Sequence, residues 1–487
     1  MSDRDPRAER PAPAPGRLRE VAVGALDVHL LEPVIGAERI AAFENAAAAA
    51  RARLGERAVV NVNSAATGGG VAELLQTLLA YARGAGIDAR WFVIEADGPF
   101  FAVTKRVHNR IYGEPGDAGV LGPTERAHYE AVLAENAARL GAAVSPGDVV
   151  VLHDPQTAGL VEPMRALGAR VVWRCHIGRD APNEHTEDAW AFLRPYVSRA
   201  DACVFTRRAY APPWLSPSTV HVIPPSIDPL STKNRSLTDA EVRSILHLAG
   251  FGHEHSATEA VHYSRRDGSS ASIDRHLDIF RTGLGPPLDV PLVVQISRWD
   301  AMKDMHGVMV AFAEHVDPSL GAHLALVGPA VHGVADDPEA AAVFDECLAT
   351  WRSLAPTVRA RVHLAAQAMG DPDRVALVTN AIQRHATVVV QKSLAEGFGL
   401  TVAEAMWKGR PVVASRVGGI PDQVVHGETG LLLDDPHDLA GFGAALTRVL
   451  ADRPYAERLG AAGRRRARDE LLADRHLERW GTVFTAL

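Results

Sequence analysis

The feature that most constrains the fold of this chain is a repeated alternation of short apolar runs with amphipathic stretches. Helical patterns such as VAELLQTLLAYARG, in which apolar residues recur at intervals of three and four, separate most of the runs. A rhythm of strand, helix and strand predicts a parallel sheet covered by helices on both faces. The runs of the first series are AVVNVN (58–63), ARWFVIE (89–95), DVVVLHD (148–154), RVVWRCHI (170–177) and ACVFT (202–206).

The alternation pauses at IPPSIDPLSTKN (223–234) and a polar stretch to about residue 288, and then resumes. The runs of the second series are PLVVQISRW (291–299), AHLALVGP (322–329), RVHLAAQ (361–367), TVVVQKS (387–393) and RPVVAS (410–415). At 487 residues the chain is too long for a single compact core. We therefore predict an α/β protein with two doubly wound, Rossmann-like domains that face each other across a cleft.

The predicted segments are a disordered tail (1–17), an N-terminal domain (18–228), a hinge and insertion (229–288), and a C-terminal domain (289–471). The chain is helical from about residue 436 onwards. The insertion contains HYSRRDGSSASIDRH, which is either a loop that covers the cleft or merely a solvent-exposed insertion.

Charge and cysteine content narrow the class of protein. Because 51 basic residues face 59 acidic ones, the formal charge is −8, which argues weakly against nucleic acid or an anionic membrane as the main partner. The three cysteines are widely spaced and form no CxxC motif. The first seventeen residues contain no apolar core of a signal peptide, and no apolar run is long enough to span a bilayer. We therefore expect a cytoplasmic protein.

The strongest motif is EGFGLTVAEAMWKGRPVVAS, which follows a predicted strand. Gly397, Phe398 and Gly399 lead into a helix that begins near Leu400. Glycine amides and a helix N-terminus together suit a diphosphate. Two carboxylates bracket this position, Glu396 before the helix and Glu404 one turn inside it, and one can hold a ribose while the other faces a sugar. The alternative is a helix-capping Glu396 and a solvated Glu404.

A second motif, SRWDAMKDMHG, carries two cations. Arg298 ends a strand, and Lys303 lies near the start of the next helix. If this strand neighbours the one before Glu396, both cations reach the diphosphate position and replace a divalent metal in stabilising the leaving group. In isolation an arginine and a lysine at this spacing are usually surface charges.

Two further features lie in the first series. The loop NVNSAATGGGVAE carries a glycine triplet (Gly68, Gly69 and Gly70) that either cradles an anion or simply makes a tight turn. It does not match the GxGxxG pattern of a dinucleotide site. Polar side chains also follow two strands, and they suit hydrogen bonding to sugar hydroxyls: His153, Asp154, Gln156, Arg174 and His176. We predict no metal site, since GHEHS (252–256) is not HExxH and no Cys/His pair has zinc spacing.

The two glutamates of EGFGLTVAE and the Arg298/Lys303 pair resemble the donor site of retaining GT-B glycosyltransferases of family 4. Five first-half strings resemble trehalose synthases of the glycosyltransferring type and the related trehalose phosphorylases: NVNSAATGGGVAELL, FFAVTKRVHN, VLHDPQ, WRCHI and PPSIDPLSTKN. The resemblance runs from about residue 20 to the end. It implies transfer of glucose from a nucleoside diphosphate glucose to free glucose, giving trehalose. It also implies that the last helix (472–487) packs against the N-terminal domain.

By resemblance, Arg298 and Lys303 hold the diphosphate and Glu404 holds the ribose. Glu396 lines the donor sugar, His153 and Asp154 lie near the reacting centre, and Arg174 and His176 lie near the acceptor. The expected catalytic residues are His153, Asp154, Arg298, Lys303 and Glu396. The expected nucleotide-sugar ligands are Gly69, Gly70, Arg298, Lys303, Gly397, Phe398, Gly399, Leu400, Thr401 and Glu404. The expected acceptor ligands are Gln156, Arg174 and His176. We expect no cofactor.

Several alternatives remain open. A phosphorylase that interconverts trehalose and glucose 1-phosphate would use the same cations, and a transferase with another small acceptor would keep the same donor site. A silent sugar-nucleotide-binding protein is the alternative outside the enzymes. Retention proceeds either by front-face attack or through a covalent intermediate, and we favour the first because the sequence identifies no nucleophile. The expected partners are small-molecule sugars. The oligomeric state, a homodimer included, is not determined by the sequence.

Overall fold

The computed structural model describes residues 18–67, 70–252, 261–265, 269–273, 277–280, 285–331 and 338–487. These residues divide into two compact units. The first unit contains residues 18–30, 41–223 and 477–487, and the second contains residues 31–40 and the described part of 224–476. The chain therefore enters each unit more than once.

The first unit is built on a sheet in the order β1-β3-β2-β4-β5-β6-β7. All pairs are parallel except that of β1 with β3. The first strand of the parallel series, β2, therefore lies between β3 and β4. The strands are β1 (Arg19–Glu20), β2 (Val59–Asn63), β3 (Ala89–Val93), β4 (Val149–His153), β5 (Arg170–Cys175), β6 (Ala202–Phe205) and β7 (Val220–Val222).

Helices connect these strands, as parallel pairing requires. Short 3-10 segments span Val28–Leu31, Pro155–Leu160 and Arg208–Tyr210. The α-helices of this part of the chain are α1 (Glu32–Ile35), α2 (Ala37–Leu54), α3 (Gly70–Gly84), α4 (Gly98–Ile111), α5 (Pro123–Leu140), α6 (Val161–Ala166) and α7 (Glu184–Val197).

The second unit repeats this architecture with the order β10-β13-β12-β11-β14-β15-β16. Only β10 is antiparallel to its neighbour. Strand β11 lies between β12 and β14. The strands are β10 (Leu277–Phe280), β11 (Leu292–Ile296), β12 (His323–Pro329), β13 (Val362–Gln367), β14 (Val388–Gln391), β15 (Val412–Ser415) and β16 (Leu431–Leu433).

The helices of the second unit cover both faces of this sheet. Short 3-10 segments span Ala301–Lys303 and Pro318–Leu320. The α-helices are α8 (Asp239–Leu248), α9 (Met305–His315), α10 (Pro338–Ser353), α11 (Pro356–Arg359), α12 (Pro372–His385), α13 (Leu400–Trp407), α14 (Ile420–Gln423), α15 (Leu439–Ala451), α16 (Arg453–Glu470) and α17 (Ala473–Ala486), of which the last continues into the first unit from Leu477.

Part of the predicted insertion is a small hairpin, β8 (His262–Ser264) with β9 (Ser270–Ser272). The Tyr263 hydroxyl donates to Asp371 Oδ2 at 3.0 Å, and Arg265 Nε donates to the same oxygen at 2.8 Å. Asp371 is the N-cap of α12. These two hydrogen bonds attach the hairpin to the start of α12. Residues 253–260, 266–268, 274–276 and 281–284 lie outside the described residues.

Both sheets have buried faces because their strands are nearly continuous apolar runs. In β4 all five residues are buried, and in β14 all four are. The ten strands predicted from the two series are all present. Strands β1, β7, β10 and β16 and the hairpin were not predicted, since they are two to four residues long or lie at sheet edges.

Candidate active site

The order of strands in the second unit brings two sequence motifs together. Strand β11 pairs with β14 in parallel, with Val293 opposite Val388. The next strand in the chain, β12, lies on the other side of β11. The connections that leave β11 and β14 therefore run to opposite sides of this pair of strands. In open α/β sheets, ligands bind outside the carboxyl ends of the strands at such a point. The loops after β11 and β14 carry Lys303 and Glu396.

Lys303 and Glu396 are in direct contact. Lys303 Nζ donates to Glu396 Oε2 at 2.7 Å, and their side chains are 16% and 11% exposed. Glu396 Oε2 also accepts from Gln391 Nε2 and from Ser393 Oγ, each at 3.4 Å. A cation and a carboxylate that are 93 residues apart in the chain therefore share one partly buried position.

Arg298 has a different environment. Its Nη2 donates to Asp300 Oδ2 at 3.0 Å, and its side chain is 59% exposed. Asp300 Oδ1 in turn caps the following 3-10 turn by accepting from the Met302 amide at 2.9 Å. Arg298 lies in the same loop as Lys303, but its described hydrogen bond is to Asp300. Its role towards a diphosphate stays a prediction.

The loop that carries Lys303 is held by buried polar groups. Asp304 adopts a left-handed conformation (φ 49°) and accepts from the Gly307 amide at 3.0 Å, which caps α9. Its other oxygen pairs with Lys392, whose side chain is completely buried. Gln295 Nε2 donates to the Lys303 carbonyl at 2.7 Å. These contacts fix the loop backbone, so the position of Lys303 is determined by groups on β11 and after β14.

The glycine-rich loop before α13 needs a residue without a side chain. Gly399 has φ 84°, and a Cβ atom there would lie 3.3 Å from Ile420 Cγ1 and 3.4 Å from Glu396 Cγ. Gln423 Nε2 donates to the Gly399 carbonyl at 3.3 Å, and the Gly419 amide donates to the Gly397 carbonyl at 3.2 Å.

Helix α13 begins at Leu400, followed by Thr401, directly after this loop. Phe398, within the loop, is buried at 6% exposure. A helix start of this kind is the electropositive feature that a phosphate requires.

Glu404 lies inside the second unit. It is 2% exposed, Gln383 Nε2 donates to its Oε2 at 3.2 Å, and Lys233 Nζ lies 2.9 Å from its Oε1. The alternative of a solvated Glu404 is wrong, because the carboxylate is buried and paired. Its predicted contact with a ribose stays a prediction.

The first unit has a cluster of polar groups at the equivalent point, where β2 lies beside β4. His153 Nε2 donates to Asn61 Oδ1 across 3.1 Å, so His153 Nδ1 accepts the hydrogen bond from His176 Nε2 at 3.0 Å. The two imidazole rings are stacked with centroids 5.3 Å apart. Burial lowers the pKa of His153 to about 3, and the nearby charge of Arg174 adds to the shift. His153 is therefore neutral at physiological pH.

Asp154 follows His153 in an unusual backbone conformation, with φ 64° and ψ 179°. This region is essentially restricted to glycine and costs about 1–3 kcal/mol for other residues. Asp154 Oδ1 accepts from the His176 amide at 2.8 Å, and its carbonyl accepts from Trp173 Nε1 at 3.1 Å. Burial raises the pKa of Asp154 to about 6, against the opposing effects of the His176 amide and Arg174. Strain at a partly buried carboxyl is typical of functional sites.

The other predicted first-unit residues lie around this cluster. Arg174 is completely buried, and its Nη2 donates to the Ile223 carbonyl at 2.7 Å, while its Nε and Nη1 have no partner among the described residues. Gln156 is half-buried in the 3-10 segment after Asp154. Gly70 is the first residue of α3, and Gly68 and Gly69 lie outside the described residues. The acceptor roles of Gln156, Arg174 and His176 stay predictions.

Several residues of the site were not assigned from the sequence. Four of them contact a predicted site residue from a distant part of the sequence, and Lys392 pairs with Asp304, the neighbour of Lys303: Asn61, Lys233, Gln383, Lys392 and Gln423. Asn61 and Lys233 had a signal, because they lie in the family-like strings NVNSAATGGGVAELL and PPSIDPLSTKN. The other three are ordinary polar residues outside those strings.

No group of three or more histidine, cysteine, aspartate or glutamate side chains is arranged to hold a metal ion within the described ranges. In the same part of the chain, no helix has the length and apolar character that a membrane span requires.

Comparison with known proteins identifies the family. The family model described as "Trehalose synthase, N-terminal domain" matches residues 61–212, and that described as "Glycosyl transferases group 1" matches residues 278–466. The trehalose synthase of Rubrobacter xylanophilus is 35% identical over 87% of this chain and 89% of its own. That of Pyrococcus horikoshii is 32% identical over 96% of this chain and 99% of its own.

More distant proteins share less sequence. The trehalose phosphorylase of Pleurotus sajor-caju is 25% identical over 76% of this chain and 50% of its own length. Among solved structures, sucrose-phosphate synthase from Thermosynechococcus elongatus has a TM-score of 0.61 and 19% identity, covering 88% of this chain and 98% of its own.

The fold and the matching family models therefore define a glycosyltransferase of the GT-B class, as the resemblance implied. Within that class, the chain belongs to the trehalose synthase family.

Proposed function

We propose that this chain transfers glucose from a nucleoside diphosphate glucose to free glucose, with retention, and so forms trehalose. The observation that carries the proposal is the contact between Lys303 and Glu396 at the carboxyl ends of β11 and β14. Together with the start of α13, it provides a cation, a carboxylate and a helix N-terminus at one position. Relatives named trehalose synthase, 32–35% identical over most of the chain, support trehalose as the product.

In this proposal the donor diphosphate binds at the start of α13, beside Lys303. As the glycosidic bond breaks, negative charge develops on the leaving diphosphate, and the ammonium stabilises it. Arg298 supplies a second cation when it exchanges Asp300 for a phosphate oxygen. Glu396 binds a hydroxyl of the donor sugar, and Glu404 binds the ribose.

The acceptor site belongs to the first unit in this proposal. Asp154 and His176 bind hydroxyls of the acceptor glucose, with Gln156 beside them. His153 is neutral, so it orients His176 through the hydrogen bond between their rings. The acceptor hydroxyl attacks on the face from which the diphosphate departs, and a phosphate oxygen takes its proton, so that configuration is retained.

The test is a donor screen. UDP-, ADP-, GDP- and TDP-glucose are incubated with the purified protein and free glucose, and the products are identified by chromatography and NMR. We expect trehalose and a nucleoside diphosphate, with activity that survives EDTA. Trehalose cleaved by inorganic phosphate but not by any nucleoside diphosphate would identify a phosphorylase instead. A different disaccharide would move the proposal to another acceptor.

The role of Lys303 is tested separately. Lys303→Ala removes the preorganised cation, and we expect turnover to fall by about 100-fold or more. The matched control is Arg453→Ala, since the Arg453 side chain is 88% exposed on α16. Initial rates at saturating donor provide the measurement. A Lys303→Ala enzyme as fast as the control would remove the cation from the mechanism.

A further inference from the structure

A second concentration of positive charge lies in the second unit, around the C-terminal ends of α12 and α13. Arg384 Nη2 donates to the carbonyls of Asn234 and Arg235, at 3.1 and 2.9 Å. Trp407 Nε1 donates to the same Asn234 carbonyl at 3.0 Å, and the Arg464 guanidinium lies 5.4 Å from the centroid of a Trp407 ring. These contacts bring Arg384 and Arg464, from two separate segments, close to the backbone and the indole beside Asn234, and Arg235 follows Asn234 in the chain.

Two more arginines complete what we call the arginine cluster. Arg410 Nη1 donates to the Ala386 carbonyl at 3.1 Å, just after α12. Arg243, on α8, acts electrostatically on His385, as Arg410 does. The members of the cluster are Arg235, Arg243, Arg384, Arg410 and Arg464. Arg243 and Arg464 are exposed, and the other three are half-buried.

Carboxylates do not balance this charge. Among the described residues, no member of the cluster forms an ion pair with an aspartate or glutamate. Asp239 acts on Arg410 only at longer range, and Glu241, which acts electrostatically with Arg235, bonds to Thr238. The two helix C-termini offset about half a charge each. Most of the positive charge therefore remains.

Repulsion between the arginines contributes to the lowered pKa of Arg384. Burial lowers the pKa of Arg384 to about 10, and three neighbouring arginines add to the shift: Arg464, Arg410 and Arg235. Burial lowers the pKa of His385 to about 4. Arg410 Nε and His385 Nε2 are buried without a hydrogen-bond partner in the described part of the chain. The backbone carbonyls satisfy individual N–H groups of these arginines, but they cannot neutralise them.

We propose that the arginine cluster is a binding site for a small phosphate-bearing anion, separate from the donor diphosphate position. Guanidinium groups bind phosphate through pairs of parallel hydrogen bonds, and a dianion neutralises more of the cluster than a chloride ion does. Three of the five arginines are half-buried, so the site favours a compact anion over an extended polyanion. Inorganic phosphate and a sugar phosphate share this chemistry.

The experiment measures phosphate binding in a protein whose donor position is already disabled. Inorganic phosphate is titrated by calorimetry into the full-length Lys303→Ala protein, at ionic strength held constant with chloride. The decisive variants add Arg464→Gln or Arg465→Gln. Both arginines are exposed and adjacent on α16, but their side chains project about 100° apart around the helix axis. Parallel titrations use glucose 6-phosphate and sulfate.

We expect saturable phosphate binding that Arg464→Gln weakens by about tenfold, the scale of one charge-assisted hydrogen bond, and that Arg465→Gln leaves within twofold. Tighter binding of glucose 6-phosphate than of phosphate would identify the sugar phosphate as the ligand. Equal weakening by both variants, or non-saturating binding of phosphate and sulfate alike, would overturn the proposal. Arg243→Gln on α8 serves as a second cluster variant if Arg464→Gln alters the melting curve.

This result does not depend on the proposed transferase activity. If Lys303→Ala keeps full activity, the donor proposal fails while the cluster titration stands. If the donor proposal holds and the Lys303→Ala protein binds no phosphate, only the cluster proposal fails.

Discussion

At the scale of single residues, Asp154 is the least ordinary position in the first unit. An aspartate with φ 64° and ψ 179° is kept in a conformation that glycine adopts without cost. Its carboxyl and carbonyl both receive hydrogen bonds, from the His176 amide and Trp173 Nε1. The surrounding contacts therefore determine this conformation, and a sequence pattern such as VLHDPQ indicates the residue but not its strain.

The titration of Asp154 makes a prediction about stability. The folded protein retains a proton on Asp154 up to about pH 6, whereas the unfolded chain releases it near the ordinary value of 3.8. This contribution to the free energy of unfolding is complete below pH 3.8 and is lost as pH rises to about 6. The pKa of His153, lowered to about 3, acts in the opposite direction, since its contribution is complete above pH 6.5 and is lost as pH falls.

Asp154→Asn should therefore remove the pH-dependent contribution of Asp154 to stability and leave that of His153. We expect the variant to gain stability relative to the wild type as pH rises from 4.5 to 6.5, by up to about 1.4 kcal/mol for each unit of pKa separation. Thermal melting at several pH values gives the measurement. Glu56→Gln is the control, because Glu56 is exposed and forms no ion pair among the described residues. A difference between Asp154→Asn and wild type that does not vary with pH would contradict the assigned pKa.

For Glu404, the sequence predicted the position on the helix but not the partners of the carboxylate. Its spacing of eight from Glu396 predicted its place on the helix, and α13 does begin at Leu400. The partners of its carboxylate were not predicted, because Lys233 and Gln383 lie far away in the sequence. Contacts of this kind depend on the strand order, which periodicity does not specify.

At the scale of elements, the start of α13 depends on Gly399. Any side chain there adopts a left-handed conformation at a cost of about 1–2 kcal/mol, and its Cβ contacts Ile420 and Glu396. We expect Gly399→Ala to lower the urea midpoint of the second unit and to raise KM for the nucleotide sugar, because Glu396 is displaced.

Gly370→Ala provides a matched comparison for this prediction. It lies in the loop between β13 and α12, and a Cβ atom there meets nothing within 4 Å. We expect it to change neither the urea midpoint nor KM. Equal effects of the two substitutions would show that the loss arises from glycine flexibility in general rather than from the φ of Gly399.

Most elements were predictable because buried parallel strands are apolar runs that end in glycine, proline or polar residues. TVVVQKS and RPVVAS became β14 and β15 with small shifts at their ends. Edge strands such as β7 and β16 were missed, since three residues give too short a pattern. The assumption that the Lys303 and Glu396 loops follow neighbouring strands is confirmed by the pairing of β11 with β14.

At the scale of the whole molecule, each unit has its own hydrophobic core. In the first unit one face of the sheet is covered partly by the C-terminal residues of the chain. Val483 and Phe484, near the end of α17, pack with Val59, Val149 and Val172. The last turns of α17 therefore contribute to the stability of the first unit.

Val483→Ala tests this contribution. Val483 is 2% exposed, and removing its two methyl groups from a packed core should cost about 2 kcal/mol. Thr482→Ala, at the neighbouring exposed position, should stay within about 0.5 kcal/mol of the wild type. Urea unfolding monitored by circular dichroism measures both. A neutral Val483→Ala would mean that the C-terminal turns are dispensable for the first unit.

The contact between Lys303 and Glu396 has a consequence for inhibitors. A charged diphosphate mimic that approaches Lys303 meets a cation already paired with a carboxylate, so repulsion from Glu396 offsets part of its interaction energy. A compound that also offers a hydroxyl to Glu396 recovers part of this loss. Inhibitors that carry a sugar should therefore bind more tightly than bare phosphates, and the gain in affinity should exceed what the added contact area alone would give.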